Sequence, residues 1–580
     1  MPPKKRSIKA FSINGYGPIA SKRTRLALQD SSGRLATAEH QLESGVNHLS
    51  TRPYPSKPHA IPRLTSLCLL TIAQSFQELF LDKKTGQKTY ECDANIELIK
   101  KLPTHLLQRL FHLVTQPSVP SFVPKNIINL FFGTNITEFI CNAVKIPREF
   151  VTELRTCIHL TTINLSKQTD LDGKSLAKSL RELTNLQHLN LSGCVKLGDE
   201  VVKAVAETSE DRMQYINLNL TAVTTDGLSV LLGRCPNLET LKLSNVNSLK
   251  DKEIFKLIDK ATELANETRH IPLSKLKNLK LKSTLVSATG LGRFLNLCAP
   301  TLERLDISYT KVEALDVLRM ALFRVDSSLG TSSLPSLALS PCKLTKLVIS
   351  GLSILSWSHS TAHSSGPIDS LVDFFDTFAS QPEEIRNRFH TLKMGFMGNP
   401  PPPNGFTIPL DDLLALDSAR LNKLIPSIYK LEGLRNIYLR GNIDLAKNSM
   451  YSNNKDPLAR FIRLIGRRCF ELDLSDVTRL GNNTLNLGLN PFSEDSASIE
   501  DSDDESQIQE DSISSPRLTT LILNKTDVSD ESKLAIATCT ALESLFLQDT
   551  KITSEGLKFI IQNCPNLGVP RPHRRDFFST

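Results

Sequence analysis

The sequence predicts an α/β solenoid: a horseshoe with a parallel β-sheet on its concave face and helices on its convex face, preceded by a small helical segment and a disordered tail. Three observations lead there. The first is the hexapeptide pattern Leu-x-x-Leu-x-Leu, clearest at Leu238, Leu241 and Leu243. Its last two leucines alternate with Lys242, the signature of a short strand with one buried face. The second is recurrence. Matches begin at Leu160, Leu186, Met213, Leu238, Leu276, Leu302, Leu344, Phe389, Leu434, Cys469, Leu518 and Leu542, separated by 24 to 49 residues. The third is that the intervening segments carry helical spacing, as at Leu228, Leu231 and Leu232. A strand this short cannot bury a core alone; stacked on copies of itself it forms a sheet with a continuous apolar ladder behind it.

Residues 1–60 come first and are expected to be disordered, being rich in Ser, Pro, Gly, Lys and Arg. They hold ten Lys/Arg against three acidic residues, so almost all of the net charge of +8 belongs to this tail rather than to a patch on the solenoid. Lys4, Lys5 and Arg6, and then Lys22, Arg23 and Arg25, form two short basic clusters suited to an import receptor, which places the protein in the nucleus, the cytoplasm or both. No recognised nucleic-acid-binding motif accompanies them, so nucleic acid is not an expected partner.

Residues 61–118 differ from the repeats. After Pro62, Leu64, Cys68, Ile72, Phe76 and Phe80 recur every four residues, a narrow apolar stripe on a helix. A polar connector, residues 82–93, leads to a second helix carrying Leu102, Pro103, Leu106, Leu107, Leu110, Phe111 and Val114 and ending before Pro117.

The stretch Leu64-Thr-Ser-Leu-Cys68-Leu-Leu-Thr-Ile72 resembles the elongin-C-binding box, a Leu-x-x-x-Cys-x-x-x-aliphatic helix, although Arg63 stands where that family has Ser, Thr or Pro. Leu102-Pro103-x-x-Leu106-Leu107 is similar to the downstream cullin-contacting box. The same leucines also resemble the opening of an F-box, without the later Trp of that family. Either resemblance implies docking to an adaptor of a cullin-RING ubiquitin ligase, elongin C-like or, as second choice, the F-box adaptor. The docking residues would be Leu64, Cys68, Ile72, Leu102, Pro103, Leu106 and Leu107. The alternative is that both helices merely cap the open end of the array.

Residues 119–570 should hold the array of about twelve repeats, with residues 127–135 (IINLFFGTN) as an N-terminal capping repeat. Cys157, Cys235, Cys539 and Cys564 stand three residues before a repeat's first leucine and Cys298 four before, which marks a small buried site filled by a reduced thiol. The residues between ladder positions should line the concave face: Asn164, Asn190, Asn217, Lys242, Lys280, Asp306, Tyr438, Asp473, Ile522 and Phe546. A wide rigid sheet of this kind suits an unknown protein substrate better than a small ligand. CPNLETLKLS, preceded by TDGLSVLLGR, resembles the cysteine-containing leucine-rich repeats of ubiquitin-ligase substrate receptors, and Ser554-Glu-Gly-Leu557 before Cys564-Pro-Asn-Leu567 repeats it. A box before such an array is also similar to the repeat subunit of the nucleotide-excision-repair ubiquitin ligase.

Loop signals interrupt the C-terminal half at 356–365 and 400–403. Residues 493–515 hold nine acidic residues and no basic ones and are expected to be disordered. Ser498 and Ser502 there resemble acidophilic phosphorylation sites. Residues 571–580 form a short C-terminal tail. No membrane-length apolar stretch, zinc spacing, phosphate loop or nucleophile elbow occurs, so neither cofactor nor metal nor catalysis is expected. The sequence therefore leaves a substrate receptor, which needs Leu64, Cys68 and Ile72 exposed, or an interaction scaffold, which buries them.

Overall fold

The computed structural model describes residues 64–76, 78–80, 90–114, 131–132, 136–141, 146, 148–267, 269–323, 342–352, 369–397, 416–446, 456–490 and 516–567. The basic clusters of residues 4–6 and 22–25, the acidic run with Ser498 and Ser502, the 356–365 and 400–403 segments and the C-terminal tail lie outside them.

Among the described residues the array is one sheet of thirteen parallel strands in strict sequence order. They are β1 (Glu138–Ile140), β2 (Thr162–Asn164), β3 (His188–Asn190), β4 (Tyr215–Asn217), β5 (Thr240–Lys242), β6 (Asn278–Lys280) and β7 (Arg304–Asp306), followed by β8 (Lys346–Val348), β9 (Thr391–Lys393), β10 (Asn436–Tyr438), β11 (Glu471–Asp473), β12 (Thr520–Ile522) and β13 (Ser544–Phe546). Every strand aligns its middle residue with that of its neighbour, as Ile216 does with Leu241 and Leu241 with Leu279. The middle residues are all buried, and so are the first and last apolar residues of each motif. A helix is about 10 Å across and strands are about 4.8 Å apart, so placing helices behind the strands bends the stack with the sheet inside.

The first strand of the described sheet, β1, comes from residues 138–140 and pairs with β2; most of the 127–135 stretch expected to form a capping repeat lies outside the described residues. Ile136, Phe139 and Cys141 occupy the three ladder positions and all are buried. The repeat is the same with its leucines replaced by other apolar residues.

Strands β2 to β13 all end in the same way. Five residues after the first strand residue, the backbone enters the left-handed region, at Lys167, Gly193, Leu220, Asn245, Ser283, Tyr309, Gly351, Phe396, Gly441, Asp476, Lys525 and Asp549. From Lys167 to Lys525 the N–H of that residue donates to a carbonyl of the next repeat, as Gly193 does to Asn219 at 2.7 Å and Leu220 to Ser244 at 2.9 Å. Only three of these twelve residues are glycine. At Gly441 a side chain would be strained by φ +76° and would also run into the Phe396 ring.

The helices behind the strands are tied repeat to repeat. Thr224, Ser287 and Thr553 cap their helices by accepting the N–H two residues on, and each donates its hydroxyl at 2.5 Å to an aspartate of the preceding repeat: Asp199, Asp251 and Asp530. The helices Thr225–Arg234 and Ser554–Asn563 fall where the sequence spacing put them. The five ladder cysteines are buried, and burial pushes the thiols of Cys235, Cys298 and Cys539 up to about 12. These thiols stay protonated and act as small apolar fillers.

Candidate protein-docking surfaces

Before the array, the described residues form three helices: α1 (Leu64–Gln74), α2 (Cys92–Lys100) and α3 (Thr104–Val114). The sequence reading missed α2, whose first residues fall inside the supposed polar connector. Leu69 and Ala73 of α1 are buried, as are Leu110, Phe111 and Val114 of α3. Between α1 and α3, the Arg109 guanidinium donates to Ser66 Oγ at 3.0 Å. A run of phenylalanine rings then joins this layer to the open edge of the sheet. Phe80 meets Phe76 at 5.0 Å, Phe76 meets Phe131 at 5.7 Å, and Phe131 meets Phe111 at 5.0 Å. Phe111 reaches Phe139 of β1 at 5.0 Å. The helical segment thus caps the array.

It caps with only part of its apolar surface. The four-residue stripe read from the sequence does not face the core as a unit: Phe76 and Phe80 are buried beyond the end of α1, while Leu64 is 76 % exposed and Cys68 is exposed. Ile72 is half-buried against the core. Leu67 and Leu70 are exposed too, at 41 % and 37 %. Seven of the eleven α1 residues are apolar, yet α1 leaves its Leu64–Leu67–Cys68 end bare. The downstream leucines behave differently. Leu102, Leu106 and Leu107 are half-buried and pack against the core, with only Pro103 of that group exposed.

Cys68 is the one exposed cysteine of eleven. Brief treatment of the folded protein with N-ethylmaleimide is therefore expected to attach a single label, at Cys68. Peptide mapping that finds the ladder cysteines labelled at the same rate would refute their burial.

On the concave face the structure separates residues that the sequence placed together. Asn164, Asn190, Asn217, Asp306 and Asp473 each turn a side-chain oxygen back onto the N–H two residues on, at 3.1, 3.1, 3.2, 3.1 and 2.9 Å, closing the strand–turn junction. Asn217 is buried at 3 % exposure. Lys242, at 8 %, lies over the Tyr215 ring with its ammonium 5.1 Å from the centroid. Lys280 sits 3.6 Å from Asp306. Tyr438 donates its hydroxyl to Glu471 at 2.7 Å, and Lys393 covers its ring at 3.7 Å. Phe546 and Ile522 remain half-buried. The sequence reading missed Arg304, Lys346 and Lys393, because it looked at one strand position and not at the alternate one or at this repeat. Among the described residues no group of three metal-ligating side chains comes together, and no helix is long and apolar enough to cross a membrane.

Comparison with known proteins agrees with the repeat architecture. A family profile described as Leucine Rich repeat matches residues 182–206. The DNA repair protein rhp7 of Schizosaccharomyces pombe is 28 % identical over 169 residues, which is 28 % of this chain and 28 % of that protein, so the chain matches well under half of its relative's length. Among solved structures, the complex of Rad7 and Elc1 in yeast is similar with a TM-score of 0.44 and 15 % identity, covering 80 % of this chain and 94 % of that one. An internalin (inlF) from Listeria monocytogenes gives 0.37 and 14 %, covering 87 % and 99 %. With thirteen parallel strands in register, each backed by a buried apolar ladder, the chain is a leucine-rich-repeat solenoid with a helical cap at its N-terminal edge.

Proposed function

We propose that this protein is the non-catalytic, substrate-recruiting subunit of a cullin-RING ubiquitin ligase. In this reading an elongin-C-like adaptor binds the exposed end of α1, and a protein target binds the concave sheet. The observation that carries it is the exposure of Leu64, Leu67 and Cys68 on a helix whose opposite side is locked into the cap. Leu64 and Cys68 are spaced by one helical turn, so they reach one partner groove from the same face. A segment that served only to cap the array would bury them. The half-buried state of Leu102, Leu106 and Leu107 favours the elongin-type arrangement over an F-box, which would offer those leucines to its adaptor. The partial likeness to a protein named for DNA repair, together with the basic tail, supports a nuclear ligase acting in repair.

The test is co-purification with elongin C and with the F-box adaptor, using wild type and the Leu64→Asp/Cys68→Asp variant. Stoichiometric elongin C is expected with wild type and at least a tenfold weaker association with the variant, whose melting temperature should be unchanged because both sites face water. Bound elongin C should also shield Cys68 from N-ethylmaleimide. Well-folded wild type that retains neither adaptor would leave a capped scaffold and remove the ligase reading.

A further inference from the structure

We propose that the floor of the concave face across β5–β9 is a binding site for a short acidic segment of a partner protein, held by Lys242, Lys280, Arg304, Lys346 and Lys393. This rests on the concave face being the substrate face and names the chemistry of what it takes; it does not depend on which adaptor α1 binds.

The outward positions of these five strands are the first and third residues of each. Those ten side chains include five cations and a single anion, Asp306. The register makes like charges direct neighbours. Lys242 aligns with Lys280, and Arg304 aligns with Lys346. Like charges side by side on adjacent strands oppose sheet pairing. Little in the chain relieves them. Lys280 has Asp306 at 3.6 Å, whereas Arg304 and Lys346 have no carboxylate within ion-pair distance among the described residues. Burial, then the charges of Lys393 and Arg304, push the Lys346 ammonium below the ordinary lysine value, with Asp306 acting the other way and Lys280 adding to the drop. Burial pushes Lys393 down as well, against the pull of Glu471, Asp473 and Asp306. An array that keeps like charges side by side on its concave sheet gains most from a ligand that brings the missing negative charge.

The patch is bounded. Upstream, β2–β4 end in Asn164, Asn190 and Asn217; downstream, β10 and β11 bring Tyr438, Glu471 and Asp473. Five strands at about 4.8 Å spacing span about 19 Å, the length of roughly six residues of extended peptide. That is too short for the track of a long polyanion, which would have to continue over Glu471 and Asp473. The aromatic faces on which bases would stack are already occupied, Tyr215 by Lys242 and Tyr438 by Lys393. A short run of carboxylates or phosphoserines in a protein fits; nucleic acid does not.

The experiment is fluorescence anisotropy on the full chain at low ionic strength. The probes are a labelled oligoglutamate long enough to span the patch, a serine-rich peptide with and without phosphoserine, and a single-stranded oligothymidine. The variants are Lys346→Glu/Lys393→Glu, the uncharged Lys346→Met, and Lys558→Glu on the convex helix Ser554–Asn563 as control. Wild type and Lys558→Glu should bind the acidic peptides alike, showing that a charge reversal elsewhere on the chain does not weaken binding, and the double reversal should weaken it about tenfold or more. Lys346→Met should weaken binding while melting no lower than wild type, since it removes a repelled cation and keeps the apolar stem. Binding of phosphopeptide but not oligoglutamate would place the ligand among phosphorylated segments; binding of both would make carboxylates sufficient. Equal affinity of wild type and double reversal for every acidic peptide would overturn the proposal. So would tighter binding of oligothymidine that the same reversal abolishes, which would make this a nucleic-acid surface.

Discussion

Phe111→Ala is expected to cost about 3–5 kcal/mol, the usual range for emptying a buried phenylalanine site, and to loosen α1–α3 from the array rather than unfold it throughout. Phe111 is buried and stands 5.0 Å from both Phe131 and Phe139, so it is the ring through which the helical cap grips β1. In a solenoid each unit touches only its neighbours, so the loss stays at the end where it is made. Hydrogen exchange should show amides of α1 and α3 losing protection while those of β5–β9 keep theirs. The variant should also lose adaptor association without a change at any exposed residue. Leu64→Asp/Cys68→Asp should do the reverse, losing the adaptor with protection intact. Uniform deprotection along the whole sheet would show instead that the cap and array fold as one cooperative block.

Arg420→Ala is the second large effect. The Arg420 guanidinium, 6 % exposed, donates to Asp369 at 2.5 Å, and Asp369 in turn caps the helix Ser370–Ala379 by accepting the Leu371 N–H at 3.0 Å. The pair joins that helix to Ser418–Tyr429, fifty-one residues apart in sequence. Removing the arginine strands a carboxylate that is only 22 % exposed. Full burial of such an orphan costs about 3–5 kcal/mol, and the water that still reaches Asp369 lowers the expected loss to about 2–3 kcal/mol. Asp369→Asn/Arg420→Met keeps the helix cap and most of the packing while deleting both charges, so it should recover most of the stability. Urea melts of the two single variants and the double one give the coupling directly. A loss for Arg420→Ala of under about 0.5 kcal/mol would reduce the contact to an ordinary surface pair.

The array was legible because its signal is a distance repeated many times. Leu238, Leu241 and Leu243 are ambiguous alone, but the same spacing at a dozen places leaves one explanation, and the buried ladder follows it. β1 was missed because Ile136, Phe139 and Cys141 meet the packing requirement without the leucines that make it visible. The α1 stripe misled for a physical reason. Seven of its eleven residues are apolar, so spacing alone could not tell the side buried in the cap from the side that meets solvent. The concave asparagines were found in the right place, yet their side-chain oxygens are engaged by the backbone two residues on, a role that a strand pattern does not reveal. Lys346 and Lys393 became meaningful only when register put Lys346 beside Arg304 and Lys393 opposite Tyr438.

The strand and its left-handed turn have one length in every repeat from β2 to β13, whatever separates them. From β2 to β13 the first residues of successive strands lie 24 to 49 residues apart, and the added length falls between these units and never inside one. Insertion and deletion can therefore lengthen the protein without moving a single concave side chain. Recognition on this face can change only letter by letter, one strand at a time, and each letter is read at a fixed height on the same ruled line. Such an inner surface can drift toward a new partner through isolated substitutions while the outer surface grows or shrinks independently. The two surfaces of one chain are thus free to evolve by different kinds of mutation.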